Sequence, residues 1–246
     1  TASNNTAVGY LSLRLNTTGG NNTAIGKSAL SSGNGGDNVA VGFEALTTYT
    51  AGSSTAVGNK AMHVATTAAQ CTAIGEGSMI ALTTGSYNIA VGGQTLESLT
   101  TGAHNTAVGF QALEENTTAS NNTAVGAVSL DANTTGANNT AVGKGALGAN
   151  TTADNNTAVG YDALSLTTTG HGNTSIGRSS LEANTTGNAN VALGQSALYS
   201  NTTAHSNTAL GRSCLKLNTT GTENVAVGAY ALDANSTGVE NTAVGA

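Results

Sequence analysis

The sequence contains no Pro and no Trp, only 3% aromatic and 8% charged residues, and two Cys among 246 residues. With so few large side chains one bulky core cannot form, so apolar burial has to come from many small, similar layers, as in a repeat protein. The few Lys and Arg are never adjacent and the formal net charge is −6. No stripe able to neutralise phosphates exists, and a nucleic-acid partner is not expected. Apolar runs last only a few residues, far short of the roughly 20 that a spanning helix needs, so no membrane segment is expected within this chain. The chain starts at Thr1 with no leader pattern, and we read it as processed or cut from something longer.

Cys71 and Cys214 lie about eight repeats apart on the period given below. A disulfide needs Cα atoms within about 7 Å, so the two cannot join within one chain. They read as small buried thiols at repeat positions, with pairing between copies as the alternative.

What the sequence does have is Gly, Ala, Thr and Asn in a strict order. The motif NTAVG recurs with its Gly at 9, 26, 42, 58, 75, 92, 109, 126, 143, 160, 177, 194, 211, 228 and 245. The intervals are 17, 16, 16 and then 17 throughout. We therefore expect residues 1–246 to form a single continuous array, an all-β parallel β-solenoid of about fifteen coils of a seventeen-residue repeat. A lone coil could not offset the entropy of ordering itself, so stability should grow with stacked neighbours.

Each column of the repeat carries an expectation. Three residues before the motif Gly stands a β-branched residue (Thr6, Thr23, Val39), and one before it an aliphatic one (Val8, Ile25, Val41). Between them is Ala, replaced only by Ser175. This period of two reads as a strand with the Val/Ile/Leu column inward and the small Ala and Gly face outward, open to another backbone. Four residues after the Gly comes Leu or Met (Leu13, Leu30, Met62), read as a second short strand with Leu pointing inward. The turn NTTG or NTTA ends in Gly or Ala, and the Ala copies mean that closeness, not a left-handed backbone, is what the position requires. Before the strand stands Asn in thirteen of fifteen copies, the exceptions being Ser54 and Cys71. That column is either a hydrogen-bonded Asn ladder or a turn preference.

Signals for chemistry are sparse. His63, His104, His171 and His205 occupy variable corners at different coils and are not expected to converge with a carboxylate or a hydroxyl. No nucleotide-binding glycine motif stands in context, and a calcium nonapeptide repeat is missing. The chain is therefore read as a non-enzyme with no catalytic, cofactor-binding or metal residues. Asn16, Asn116, Asn133, Asn184, Asn201 and Asn218 fit the N-glycosylation pattern at the turn. They would be acceptors on an exposed edge in a eukaryotic secreted chain, and unmodified turn residues in a bacterial or phage one, the reading adopted here. The two positions after each motif Gly vary freely: Tyr10, Lys27, Phe43, Lys60, Phe110, Lys144, Tyr161, Arg178, Arg212 and Tyr230 mark a surface edge that could serve recognition. The plain alternative is a solvated edge.

NNTAVG and NNTAIG followed by a small residue resemble the head repeats of YadA-type trimeric autotransporter adhesins. The NTAVGxxAL…NTTG array is also similar to shafts of phage tail fibres. The resemblance implies a left-handed parallel β-roll, three chains side by side, Val/Ile columns inward, at the positions matching Asn22, Thr23, Ala24, Ile25 and Gly26. The family repeat is shorter than the one here. The expected function is an extracellular structural or adhesive fibre segment, at a cell surface or on a virion, working as a trimer or a head-to-tail assembly and touching a host surface glycan or protein. A self-assembling filament or sheath subunit, allowed by ends without a capping repeat, and an ice-binding solenoid with Thr columns are the alternatives.

Overall fold

A computed structural model describes residues 2–245. Thr1 and Ala246, the ends of the expected array, lie outside the described residues. The chain divides into two compact units, Thr1–Asn121 and Asn122–Ala246. Among the described residues there are fifteen strands of three residues and no helix. The first unit holds β1 (Thr6–Val8), β2 (Thr23–Ile25), β3 (Val39–Val41), β4 (Thr55–Val57), β5 (Thr72–Ile74), β6 (Ile89–Val91) and β7 (Thr106–Val108). The second runs from β8 (Thr123–Val125) to β15 (Thr242–Val244). Within each unit successive strands pair in parallel, each residue on its repeat equivalent: Ala7 on Ala24, Val142 on Val159. Each unit is thus a parallel β-solenoid with one strand per coil.

The expected second strand is not there. From the motif Gly to the turn the chain follows successive turns, with Ser28 (φ 60°) and Leu30 (φ 47°) in the left-handed region and their equivalents likewise in most coils. N–H groups along this stretch reach both neighbouring coils. Ser28 donates to the Tyr10 carbonyl of the preceding coil (2.8 Å) and Leu30 to the Ala45 carbonyl of the following one (3.0 Å). Bonding between coils therefore continues where the strand stops, which satisfies buried backbone groups without a ladder.

The strand also faces the other way from the expectation. Its central Ala is fully buried in β2 to β7 (Ala24, Ala40, Ala56, Ala73, Ala90, Ala107), whereas Val8, Ile25, Ile74, Val108, Val125, Val142, Ile176 and Leu193 are exposed. The period of two holds and its phase is reversed. The reason is depth. The Leu or Met column points inward as expected, fully buried from Leu30 to Leu215, and two Asn columns fill much of the remaining width. The strand can add only a methyl group to an interior that narrow, and a Val there would overpack it. Ser175, the one larger residue in the column, fits because its hydroxyl donates to the Ser180 carbonyl (2.8 Å).

The column of Asn before the strand is a buried ladder. Asn156 N–H donates to Asn139 Oδ1 (2.9 Å), and Asn156 Nδ2 donates to the Gly170 carbonyl at the turn of its own coil (2.8 Å). The turn Asn builds a second ladder, with Asn150 Nδ2 donating to Asn133 Oδ1 (2.8 Å) and Asn218 Nδ2 to Asn201 Oδ1 (3.1 Å). This speaks against the alternative of glycan acceptors on an exposed edge and fits the adopted reading of these Asn as turn residues. Asn116, Asn133, Asn184, Asn201 and Asn218 are fully buried, with their amide nitrogens hydrogen-bonded, and the half-buried Asn16 is also engaged. No free nitrogen remains for a sugar to attach to in the folded chain.

Thr167 breaks the second ladder. Its hydroxyl donates to the Asn184 carbonyl (3.2 Å), and Asn150 Oδ1, which an Asn at 167 would reach, is left as the buried side-chain atom without a partner among the described residues. Thr167→Asn is therefore expected to stabilise the second unit by about 1 kcal/mol, the net worth of one buried hydrogen bond. Urea denaturation of the full chain reads this as a raised midpoint at unchanged slope, and a lowered midpoint would contradict the ladder reading.

The two short coils each have one residue fewer at the turn, Gly33-Asn34-Gly35 and Tyr49-Thr50-Ala51 where others have Asn-Thr-Thr-Gly, and β2, β3 and β4 stay in register across them. Tyr49 stands there in place of a turn Asn. It is fully buried, its hydroxyl bonded to the Ala68 carbonyl and to Ser54 Oγ (2.6 Å), and burial pushes the phenol up to about 12. The ring occupies the room that Asn side chains take elsewhere, which accounts for Ser54 and Cys71 in the pre-strand column. Cys71 and Cys214 are free and buried in their own units, and burial raises both thiols. Pairing between copies would need an exposed sulfur, so the buried-thiol reading holds. At the turn, Gly136 takes no left-handed backbone, and a Cβ there would lie 2.3 Å from the Ala153 carbonyl. Closeness is the constraint, as expected.

Candidate recognition edge

The residues after each motif Gly form one edge of each unit. Tyr10, Lys27, Phe43, Phe110, Lys144, Tyr161, Arg178 and Arg212 occupy the first position and are exposed, while Lys60 (half-buried) and Tyr230 (exposed) occupy the next. The backbone beneath them is pinned: the Tyr10 carbonyl accepts from Ser28, and the Phe43 carbonyl from Lys60 (2.8 Å). Side chains one coil apart are brought together as cation–aromatic pairs. The Lys27 ammonium lies 5.5 Å from the Phe43 ring centre, Lys144 lies 6.0 Å from Tyr161, and the Arg212 guanidinium lies 4.9 Å from Tyr230, whose hydroxyl it also contacts. Each exposed pair is worth on the order of 0.5–1 kcal/mol. They order the edge without hiding it.

Neither a family model nor a curated protein matches the chain.

The same edge of the first unit contains a groove of about 370 Å³ that sequence reasoning missed. It lies between Lys60 and Phe110, over Gly77 and Gly93, with Glu76, Gln94, Ile80 and Glu97 along it. The available signal was the pair of Gly residues in columns whose neighbours carry side chains. Glu97 is held above the ordinary carboxylate range, first by burial and then by the charge of Glu114. The folded chain thus binds that proton more tightly than the unfolded chain does. The sign follows: this contribution to stability is fully present below the ordinary glutamate range and is lost as pH rises through the raised value. Glu97→Gln is expected to raise the melting temperature at pH 7 and to leave it unchanged at a pH where the carboxyl is protonated in both states, measured by thermal scans across that range.

His63 departs from the expectation that no His meets a carboxylate or hydroxyl. Its Nδ1 lies 3.8 Å from Glu44 Oε2, 3.2 Å from Thr47 Oγ1 and 3.2 Å from the Glu44 carbonyl. All three partners crowd one ring nitrogen, so the imidazole does not bridge a carboxylate to a hydroxyl as a catalytic triad requires. The Thr47 hydroxyl is itself donated to the Glu44 carbonyl (2.8 Å). His104 stacks on Tyr87 with ring centres 4.9 Å apart. Among the described residues no group of three His, Cys, Asp or Glu is placed to hold a metal, and no helix is long and apolar enough to cross a membrane.

Proposed function

We propose that the chain is a structural and adhesive segment of an extracellular fibre, on a cell surface or a virion, in which copies pack side by side through the outward Val/Ile column. The observation that carries this reading is the outward column of β-branched or Leu side chains, exposed at Ile74 and Val108 in the first unit and Val125, Val142, Ile176 and Leu193 in the second, and half-buried in coils such as those of Val57 and Val159. Parallel sheets occur almost only with both faces covered, because an open apolar face forfeits the burial that holds such strands. A continuous apolar stripe on a soluble surface marks an interaction site. Identical coils favour an identical partner, and closed symmetry favours a small ring of copies, for which the motif's resemblance to trimeric heads suggests three. The interface is thus the Val/Ile face and not the Ala face, which is buried. The resemblance of the motif to trimeric adhesin heads supports three chains side by side, but not its implied inward Val/Ile columns, which face outward here.

Sedimentation equilibrium of the full chain at micromolar concentration tests it. The expected mass is three times the 23.9 kDa of one chain. Val125→Asp with Val142→Asp and Ile176→Asp should return it to one chain without unfolding it, since all three side chains are exposed. A parent chain that sediments as a monomer ends the proposal.

One observation favours ice binding as a second reading. The Thr column shares the outward face with Val in two rows, although Val39, Ile89, Val191 and Val225 interrupt it. Thermal hysteresis in a monomeric sample would select that reading, and its absence in a trimer would retire it.

A further inference from the structure

The groove in the first unit is built, not incidental. Asn59, Glu76, Gly93 and Phe110 follow the motif Gly of four successive coils and form one column, with Lys60, Gly77 and Gln94 in the next. At about 4.8 Å per coil the column spans about 14 Å, the length of a short oligosaccharide. Two glycines open its floor, and the backbone requires neither. Gly77 has φ 65°, a conformation that Ser28 and Lys60 adopt at the same place in other coils, and a Cβ on it would meet nothing nearer than 4.0 Å. A Cβ on Gly93 would lie 3.7 Å from the Phe110 ring, ordinary contact. The second unit shows the contrast: Gly145 stands in the column of Gly77, but there a Cβ would be 2.3 Å from Asp162 Oδ1, so that space is already filled. What Gly77 and Gly93 achieve is an opening beside an exposed aromatic ring.

We propose that this groove binds a neutral saccharide, with the Phe110 ring under the apolar face of one sugar and the polar rim on its hydroxyls. A sugar hydroxyl both donates and accepts, and the rim offers both kinds of partner. Glu76 and Glu97 accept, the Lys60 ammonium donates, and Asn59 and Gln94 do either. A free anion would meet two carboxylates, and a free cation the Lys60 ammonium. Exposed rings beside mixed polar groups suit a ligand with one apolar face and a hydroxylated perimeter. The inference deepens the adhesive reading of this edge and rests on that reading, but it does not depend on self-association.

Saturation-transfer NMR on the full chain tests it with three millimolar probes: cellotriose, maltotriose and triacetylchitotriose. At least one is expected to bind. Phe110→Ala and Gly93→Gln, which places in the groove the residue found at the equivalent Gln195, should each weaken it roughly ten-fold or more, the scale of one lost stacking contact. Tyr87→Ala, an exposed ring of the same unit outside the groove's lining, should leave binding unchanged. Melting temperatures equal to the parent's establish that the variants are folded. The proposal is overturned if none of the three sugars binds, if Tyr87→Ala loses as much as Phe110→Ala, or if N-acetyl-lysine methylamide displaces the bound sugar at equal concentration. The sedimentation mass of the same samples separates failure here from failure of the side-by-side assembly.

Discussion

Gly143→Ala is expected to separate the coils around it and to cost on the order of 4 kcal/mol, at the upper end of single-residue effects. Gly143 has φ 134°, a conformation that L-residues rarely adopt, and a Cβ on it would stand 2.3 Å from the Gly160 carbonyl oxygen of the next coil. Neither problem can relax alone. Rotating φ moves the adjoining strand, and lifting the next coil breaks the bond from Gly160 N–H to the Val142 carbonyl (2.8 Å). Gly77→Ala is the control, with an expected cost of about 1 kcal/mol or less, since the space is open and only the positive φ opposes it. Urea denaturation of the full chain, followed by circular dichroism, distinguishes the two. Equal midpoints would show that the motif Gly is not held by the contact between coils.

Asn156→Ala carries the second large effect. Asn156 Nδ2 donates to the Gly170 carbonyl, and its Oδ1 accepts from Asn173 N–H (2.9 Å) and Asn173 Nδ2 (3.2 Å). Alanine leaves a carbonyl and an N–H buried without partners, each costing about 1–3 kcal/mol, so a loss of about 3 kcal/mol or more is expected. Asn156→Asp should be worse at pH 7 than at pH 4. The carboxylate can still accept from Asn173 but cannot donate to Gly170, and an uncompensated buried charge adds its own penalty. Denaturation midpoints for both variants at both pH values measure this. Variants as stable as the parent would reduce the column to a turn preference.

These two columns also show how far the sequence could be read. The period, the strand before each motif Gly, the register and the inward Leu follow from spacing alone, because stacking demands that equivalent residues coincide, whereas the second strand expected at Leu13 and Leu30 does not form. Which face of the strand is inward does not follow from spacing. Ala24 and Ile25 differ by a one-residue phase, and choosing the larger side chain for the interior is correct only where the interior has room for it. Here the opposing Leu30 and the Asn ladders have already used the width. The left-handed Leu30 was equally hidden, since a residue held there by its neighbours' hydrogen bonds needs no glycine to announce it. At the recognition edge, spacing identified the exposed column and the residues that pair as Lys27–Phe43, Lys144–Tyr161 and Arg212–Tyr230. The groove stayed invisible because it is defined by missing side chains, at Gly77 and Gly93, in a protein where Gly is common everywhere. Tyr49 left a fainter trace, a large residue in a short coil flanked by the two departures from Asn.

The short coils bear on how such a chain can change its length. Losing a turn residue shifts nothing on the sheet, so contour length at the corner is decoupled from alignment of the strands. Units of sixteen and seventeen residues are therefore interchangeable modules. Unequal recombination between copies would add or remove whole layers without a frustrated joint, and a gene of this kind could drift in copy number while every layer kept the same neighbours.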